Sequence, residues 1–398
     1  MFDKDFAKGG AILVICFGIG NLINFFFHFG MARLLSVADY GILATLLSFI
    51  YLLALCSESI QTVISKNITE NKNSAREILQ HSMKKMIYPS VLLFLVYLAV
   101  SIPLAALLRI NYALFFLNGL IIFGSFYMPI NRGLLQGKKR FLPLGENMIV
   151  EAAAKLGISL LLVGIGFAVY GAIIGGLFGA GIAYAISFIH LKPLFTSKDK
   201  TFKKNIKYGY GGQSFLIVLA IMIFFSVDVV VARIVFEPDI VGAYAIASTI
   251  AKTIFFAAMP ISKAMFSFTA EKSSFNKSKR IFLNALAIIS AGILIALVLF
   301  YIFPELWVRI FSGKYLPLAA SLLFILGIAY SLITITNIVL LYRISIGKVR
   351  YVWLIMLMPV IEILLFFLFS KNITQFAFSL VASSALFLWV SLTNNNSR

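Results

Sequence analysis

Charge is scarce in this sequence: Asp, Glu, Lys and Arg make up 12% of its 398 residues, about half their share in soluble globular domains. With a hydrophobic content of 61% and a mean hydropathy of +0.99, that shortage excludes a water-soluble fold. Cysteine is equally sparse. Cys16 and Cys56 both lie in apolar runs, which argues against a disulfide framework or a thiolate metal site. His28, His81 and His190 stand far apart and form no H-E-x-x-H or facial-triad pattern, so metal catalysis has no visible site and no cofactor is expected. Segments of alternating polarity, the mark of a β-barrel, are missing too.

What fills the chain instead is a series of apolar runs of about 18 to 25 residues, the length of a helix that crosses the hydrocarbon core. They predict about twelve spans, near residues 10–32, 41–64, 87–108, 113–133, 144–166, 170–191, 209–233, 242–265, 281–303, 317–341, 352–369 and 374–392. The first run follows a segment of mixed charge and has no small-residue cleavage site, so it reads as a retained helix. With the N-terminus in the cytoplasm, 26 of the 34 basic residues, Arg132 among them, fall in inside segments and six in outside ones. This bias predicts a multi-pass protein of the cell membrane with both termini cytoplasmic. The net charge of +19 is then explained by topology and contact with anionic lipids, because the basic residues are dispersed over every inside segment. No nucleic-acid partner is needed. The outside loops are too short to build an enzyme site in water, so function is expected within the helices and no enzyme activity is predicted.

Two loops recur. Ala32-Arg33 with Asp39 six residues later follows the first span, and Ala232-Arg233 with Asp239 follows the seventh. Gly137-Lys138-Lys139-Arg140-Phe141 lies between spans four and five, and Gly347-Lys348-Val349-Arg350-Tyr351 between spans ten and eleven. These echoes predict an all-α membrane fold of two pseudo-symmetric six-helix bundles, 1–191 and 209–398, joined by a basic cytoplasmic linker at 192–208. Six spans per half make the repeats parallel, an architecture suited to alternating access.

An ionisable side chain at the bilayer centre costs about 2.5 to 3.5 kcal/mol on insertion scales and should face protein or water. Glu151 and Lys155 sit four apart in span five and share a helix face, where they either neutralise each other or line a polar cavity. Lys252 in span eight has no acidic residue within one turn. It either pairs across helices, with Glu362 of span eleven as one partner, or faces a cavity that attracts an anion. Asp228 in span seven is a candidate for ion coupling, with pairing to Arg33 or Arg233 as the alternative, and Glu58 is within snorkelling reach of an inside end. Asn21, Asn24, Gln61, Gln136 and Gln213 either line the same path or join helices by hydrogen bonds. Gly171, Gly175, Gly179, Ala183 and Ser187 recur every four residues as a smooth stripe for close packing. Pro103, Pro129, Pro260 and Pro359 fall inside spans, where they bend helices.

The phrase Ala32-Arg33-Leu34-Leu35-x3-Asp39-Tyr40-Gly41 resembles the loop after the first helix of polysaccharide flippases in the multidrug/oligosaccharidyl-lipid/polysaccharide exporter superfamily. Asp228-x4-Arg233-x5-Asp239-x2-Gly242-x-Tyr244 is similar to its counterpart after helix seven, and Arg132-Gly133-Leu134-Leu135-Gln136-Gly137-x2-Arg140-Phe141 to the loop between helices four and five. The resemblance implies two bundles that move a lipid diphosphate-linked oligosaccharide to the outer leaflet, beside glycan polymerase and glycosyltransferase partners. A cationic cavity would draw on Lys155, Lys252, Arg33 or Arg233. Coupling to H+ or Na+ would act through Asp228, Glu151 or Glu362, with Asn21, Asn24, Gln61 and Gln213 as polar lining. Competing readings are a drug or metabolite antiporter of the same superfamily, which the midplane lysines disfavour, and a polytopic glycan polymerase or acyltransferase. The latter would need a large outside loop or a membrane-embedded His or Arg centre.

Overall fold

A computed structural model describes residues 4–70, 75–192, 212–270 and 275–393. They form thirteen α-helices: α1 (Lys4–Leu34), α2 (Val37–Glu70), α3 (Ala75–Leu108), α4 (Tyr112–Gly137), α5 (Phe141–Leu162), α6 (Ala168–Leu191), α7 (Gly212–Val235), α8 (Pro238–Ala270), α9 (Phe275–Ile302), α10 (Pro304–Ser312), α11 (Pro317–Ser345), α12 (Val352–Leu368) and α13 (Ile373–Thr393). Ten segments are long and apolar enough to cross a membrane. One of these, Phe141–Leu191, runs to 51 residues because it is two helices, α5 and α6, folded back on each other. The reversal occupies Val163–Phe167 and places Gly166 at φ 100° and Ala168 at φ 44°. With the shorter apolar helix Val352–Leu368, every predicted span has its helix. Apart from Lys192, the predicted linker lies outside the described residues.

The chain separates into two compact units, Met1–Leu35 with Phe49–Tyr210, and Ser36–Ser48 with Gly211–Arg398. The first turns of α2 therefore belong with the second unit, which the simple division by halves does not anticipate. Each unit repeats one packing scheme. In the first, α1 lies on α5, α3 on α4 and α4 on α6; in the second, α7 lies on α12, α9 on α11 and α11 on α13. Gly133 and Gly137 bring α4 against the backbone of α2 at Gln61 and Ser65, and its counterpart α11 packs on α8. The least buried spanning helices are also counterparts, α3 at 11% and α9 at 22%.

The backbone corrects the register of the repeat. Both α4 and α11 end with the same cap: Arg140 N–H bonds to Leu135 O and Lys139 N–H to Gln136 O, as Lys348 N–H bonds to Arg343 O and Gly347 N–H to Ile344 O. The left-handed residues that close these caps are Lys139 at φ 58° and Gly347 at φ 68°. Lys139, rather than Gly137, is thus the counterpart of Gly347, because the helix end is fixed by the residue that turns left-handed. At the other loop Tyr40 N–H bonds to Ser36 O and Val241 N–H to Glu237 O, which aligns Gly41 with Gly242. The offset grows between these two points, and α10 lies there. It is a helix of the second unit for which the loop between α3 and α4 has no equivalent.

The Asp-Tyr-Gly phrase has a structural use. Ser36 and Asp39 cap α2 reciprocally, with Ser36 Oγ donating to Asp39 Oδ2 at 2.7 Å and receiving Asp39 N–H at 3.0 Å. Tyr40 is buried edge-on against Phe311 of α10, with ring centroids 6.5 Å apart. A Cβ on Gly41 would stand 3.1 Å from the Gly242 backbone, so both glycines permit close approach of α2 to α8 within the second unit.

Candidate functional site

In the first unit the glycine stripe decides which way α5 faces. Gly171, Gly175 and Gly179 lay the backbone of α6 directly on that of α5 at Leu162, Ser159 and Lys155. Asn147 extends the seam by donating to Ala183 O at 2.6 Å, and Asn131 of α4 donates to Ser187 Oγ at 2.6 Å. The backbone seam leaves the side chains of Glu151 and Lys155 turned elsewhere, toward α4 and α1.

Glu151 does not form an ion pair with Lys155. Its carboxylate receives Arg132 Nη2 from α4, while Arg132 Nε donates to Asn147 Oδ1 at 2.8 Å. Arg132, expected in an inside loop, is therefore part of a helix that continues through Gly137. Lys155 reaches α1 instead: its ammonium donates to Asn24 Oδ1 at 3.1 Å and lies 4.0 Å from the centre of the Phe27 ring. Among the described residues no carboxylate lies within ion-pair distance of it. Asn24 is held in turn by donating to Gly20 O at 3.0 Å.

In the second unit Asp228 of α7 is wholly buried and organises a second cluster. Lys252 of α8 donates to its Oδ1 at 3.2 Å. Tyr244 and Ser248 of α8 and Tyr330 of α11 meet its Oδ2 at 3.1, 3.0 and 2.6 Å. A carboxylate has room for about four donors, and Asp228 meets four, three of them on Oδ2. The Lys252 ammonium lies between aromatic rings, 5.0 Å from the centre of Phe225 and 5.2 Å from that of Tyr330. Glu362 of α12, also wholly buried, has Asp228 and Lys252 as its charged neighbours. No donor among the described residues bonds to either of its carboxylate oxygens. Of the two alternatives open for Lys252, a pair across helices or a cavity that attracts an anion, the structure shows a pair, with Asp228 rather than Glu362 as the partner.

The remaining candidates are dispersed. Arg33 at the end of α1 stacks on the Phe29 ring at 4.3 Å, and Arg233 is buried near the end of α7. Gln61 donates to Gln136 Oε1 at 2.8 Å, joining α2 to α4. Asn21 has its amide nitrogen buried without an acceptor among the described residues, whereas Gln213 is exposed in the first turn of α7 and Glu58 is exposed on α2. Tyr244, Ser248, Tyr330 and Asn147 complete the two clusters; of these the sequence names only Tyr244, as the end of the loop motif after helix seven. The available signal was a spacing of four within apolar runs, Tyr244, Ser248 and Lys252 on α8 and Asn147, Glu151 and Lys155 on α5, which aligns hydroxyls or an amide with an ionisable group on one helix face. Among the described residues no group of three His, Cys, Asp or Glu is placed to hold a metal ion.

The fold has solved relatives. An inward-facing multidrug resistance MATE family transporter of the MOP superfamily superposes with a TM-score of 0.71 at 13% identity, over 96% of this chain and 97% of that one. An outward-facing MATE family structure gives 0.68 at 13% identity, over 97% and 94%. The lipid II flippase MurJ in an inward closed conformation gives 0.71 at 14% identity, over 96% and 87%. No curated protein matches the sequence. A family model described as polysaccharide biosynthesis protein matches residues 6–266, which include the first unit from residue 6 onward and the Asp228–Lys252 pair. The chain is a member of that polysaccharide biosynthesis protein family, built on the membrane fold shared by MATE transporters and MurJ.

Proposed function

We propose that the protein is a flippase of the cell membrane that carries a polyprenyl-diphosphate-linked oligosaccharide, the repeat unit of a surface polysaccharide, to the outer leaflet by alternating access. The observation that carries the reading is the Lys155 ammonium. It stands in a spanning helix, oriented by Asn24 and Phe27, with no carboxylate within ion-pair distance among the described residues and its charged neighbour Glu151 committed to Arg132, in a chain whose family belongs to polysaccharide biosynthesis. An anionic group such as a diphosphate supplies the missing counter-charge. Lys252 is a weaker candidate for that contact, since Asp228 already neutralises it. The repeated packing scheme supports transport, because internal repeats of this kind are a transporter architecture. A cationic drug as cargo would meet repulsion from Lys155.

With 26 of 34 basic residues assigned to inside segments, both termini lie in the cytoplasm, where glycosyltransferases assemble the cargo; a glycan polymerase receives it outside. Coupling to an ion is assigned to the second unit, through Glu362 beside the Asp228–Lys252 pair. The test is export of the surface glycan in cells carrying Lys155→Ala or Lys155→Arg. The Ala variant is expected to reach the membrane at normal levels and lose export, while Arg keeps a substantial part. Normal export by Lys155→Ala refutes the reading.

A further inference from the structure

The second unit contains a complete cation site, and the cation in it is covalently attached. A carboxylate oxygen at 3.2 Å and two aromatic faces at 5.0 and 5.2 Å are the surroundings that hold a monovalent cation away from water. The Lys252 ammonium fills them. The other Asp228 oxygen is taken by Tyr244, Ser248 and Tyr330, so a second cation would have to share with the ammonium the one oxygen that Lys252 holds. Any Na+ entering would also stand beside an ammonium in a medium that screens charge poorly.

Glu362 has the opposite problem. It is 0% exposed, and among the described residues no donor bonds to either oxygen. The charged groups facing it are Asp228 from α7 and Lys252 from α8, and those two already neutralise each other. Tyr244 of α8 is the titratable hydroxyl nearby, and α13, packed on the other side of α12, has no titratable residue. An ionised Glu362 would therefore be an uncompensated charge inside the membrane, and a neutral acid is the form that this burial accommodates.

We propose that Lys252 is a built-in counter-cation that closes the Asp228 site to mobile Na+, and that the exchangeable charge of the second unit is a single proton held on Glu362. When that proton leaves for water, the cluster changes from neutral to one negative charge, which supplies a driving force without any bound metal. The proposal rests on the transporter reading for its purpose, but its tests need no cargo. Its failure is thus separable from failure of the Lys155 export test.

The full chain, purified into lipid nanodiscs, is melted in NaCl against N-methylglucamine chloride at equal ionic strength. Wild type is expected to show no Na+-specific shift, whereas Lys252→Ala, which vacates the site, acquires one that saturates with Na+. A saturable Na+ shift in wild type overturns the proposal, as does a folded Lys252→Ala that gains none. Should Lys252→Ala fail to fold, Glu362→Gln decides, since the amide matches the shape of the neutral acid. Infrared spectra at neutral pH should show the carbonyl stretch of a protonated carboxylic acid in wild type and lose it in Glu362→Gln. No such band, or one that persists in the variant, refutes the proton assignment.

Discussion

Removing either member of the Asp228–Lys252 pair should have unequal effects, and the inequality follows from what each charge keeps. Asp228→Asn preserves shape and an acceptor for the three hydroxyls, so the change is electrostatic. The Lys252 ammonium is left with two aromatic faces and no counter-charge, on a side chain only 7% exposed. At that burial no discount for solvent screening applies, and an orphaned buried ion costs about 3–5 kcal/mol. Lys252→Met leaves the opposite orphan, a carboxylate that still accepts from Tyr244, Ser248 and Tyr330. Interhelical hydrogen bonds within membranes average about 0.6 kcal/mol each, so three of them return about 2 kcal/mol and lower the loss to about 1–3 kcal/mol. The double variant removes both charges and should lie within about 1–2 kcal/mol of wild type, since a buried pair roughly breaks even against apolar replacements. The assay is reversible unfolding in mixed detergent micelles, with all four proteins titrated in the same denaturing detergent. A double variant no more stable than Asp228→Asn would show that the two charges are not coupled and refute the reasoning. Equal losses in the two single variants would refute the role given to the hydroxyls.

Gly175→Val should disrupt the α5–α6 hairpin, because a Cβ there collides with the Ser159 backbone and hydroxyl. A loss of at least about 1–3 kcal/mol is expected from overpacking, read as lower thermal stability and faster proteolysis at 163–167, while Gly176→Val, which meets open space, is tolerated. Arg132→Met leaves Glu151 unpaired, but its side chain is 34% exposed, so the loss is discounted to about 1–2 kcal/mol. The same unfolding titration measures it, and Arg132→Lys should recover only part, lacking the fork that reaches Asn147 and Glu151 together.

Hydropathy made the spans legible because the bilayer selects for length and apolarity irrespective of which helices are neighbours. Partner choice was not legible in the same way. Glu151 and Lys155 are a correct i,i+4 pair on one helix, yet Arg132 from α4 and Asn24 from α1 take one each. Only the rotation imposed on α5 by the glycines of α6 reveals which. That stripe was visible as a period of four, so its existence could be read and its consequence could not. The helix α10 escaped detection because nine residues with Glu305 and Arg309 carry no span signal. Its insertion in turn shifted the apparent register of the repeat. Asp228 and Lys252 were each recognisable as misplaced charges, but their junction required knowing that α7 and α8 approach at that depth.

The two ion pairs also bear on how the chain enters the membrane. Arg132 and Glu151 are 19 residues apart and Asp228 and Lys252 are 24 apart, so each pair joins consecutive helices. As the ribosome delivers these helices in order, the first charge of each of these two pairs waits for one further helix before its counter-ion arrives. Glu362 emerges more than a hundred residues after Lys252 and needs none if it enters as the neutral acid. Biogenesis is then served by short sequence separations: the most costly side chains pass into lipid as nearly neutral hairpins, and the insertion machinery has to shelter each of them only briefly.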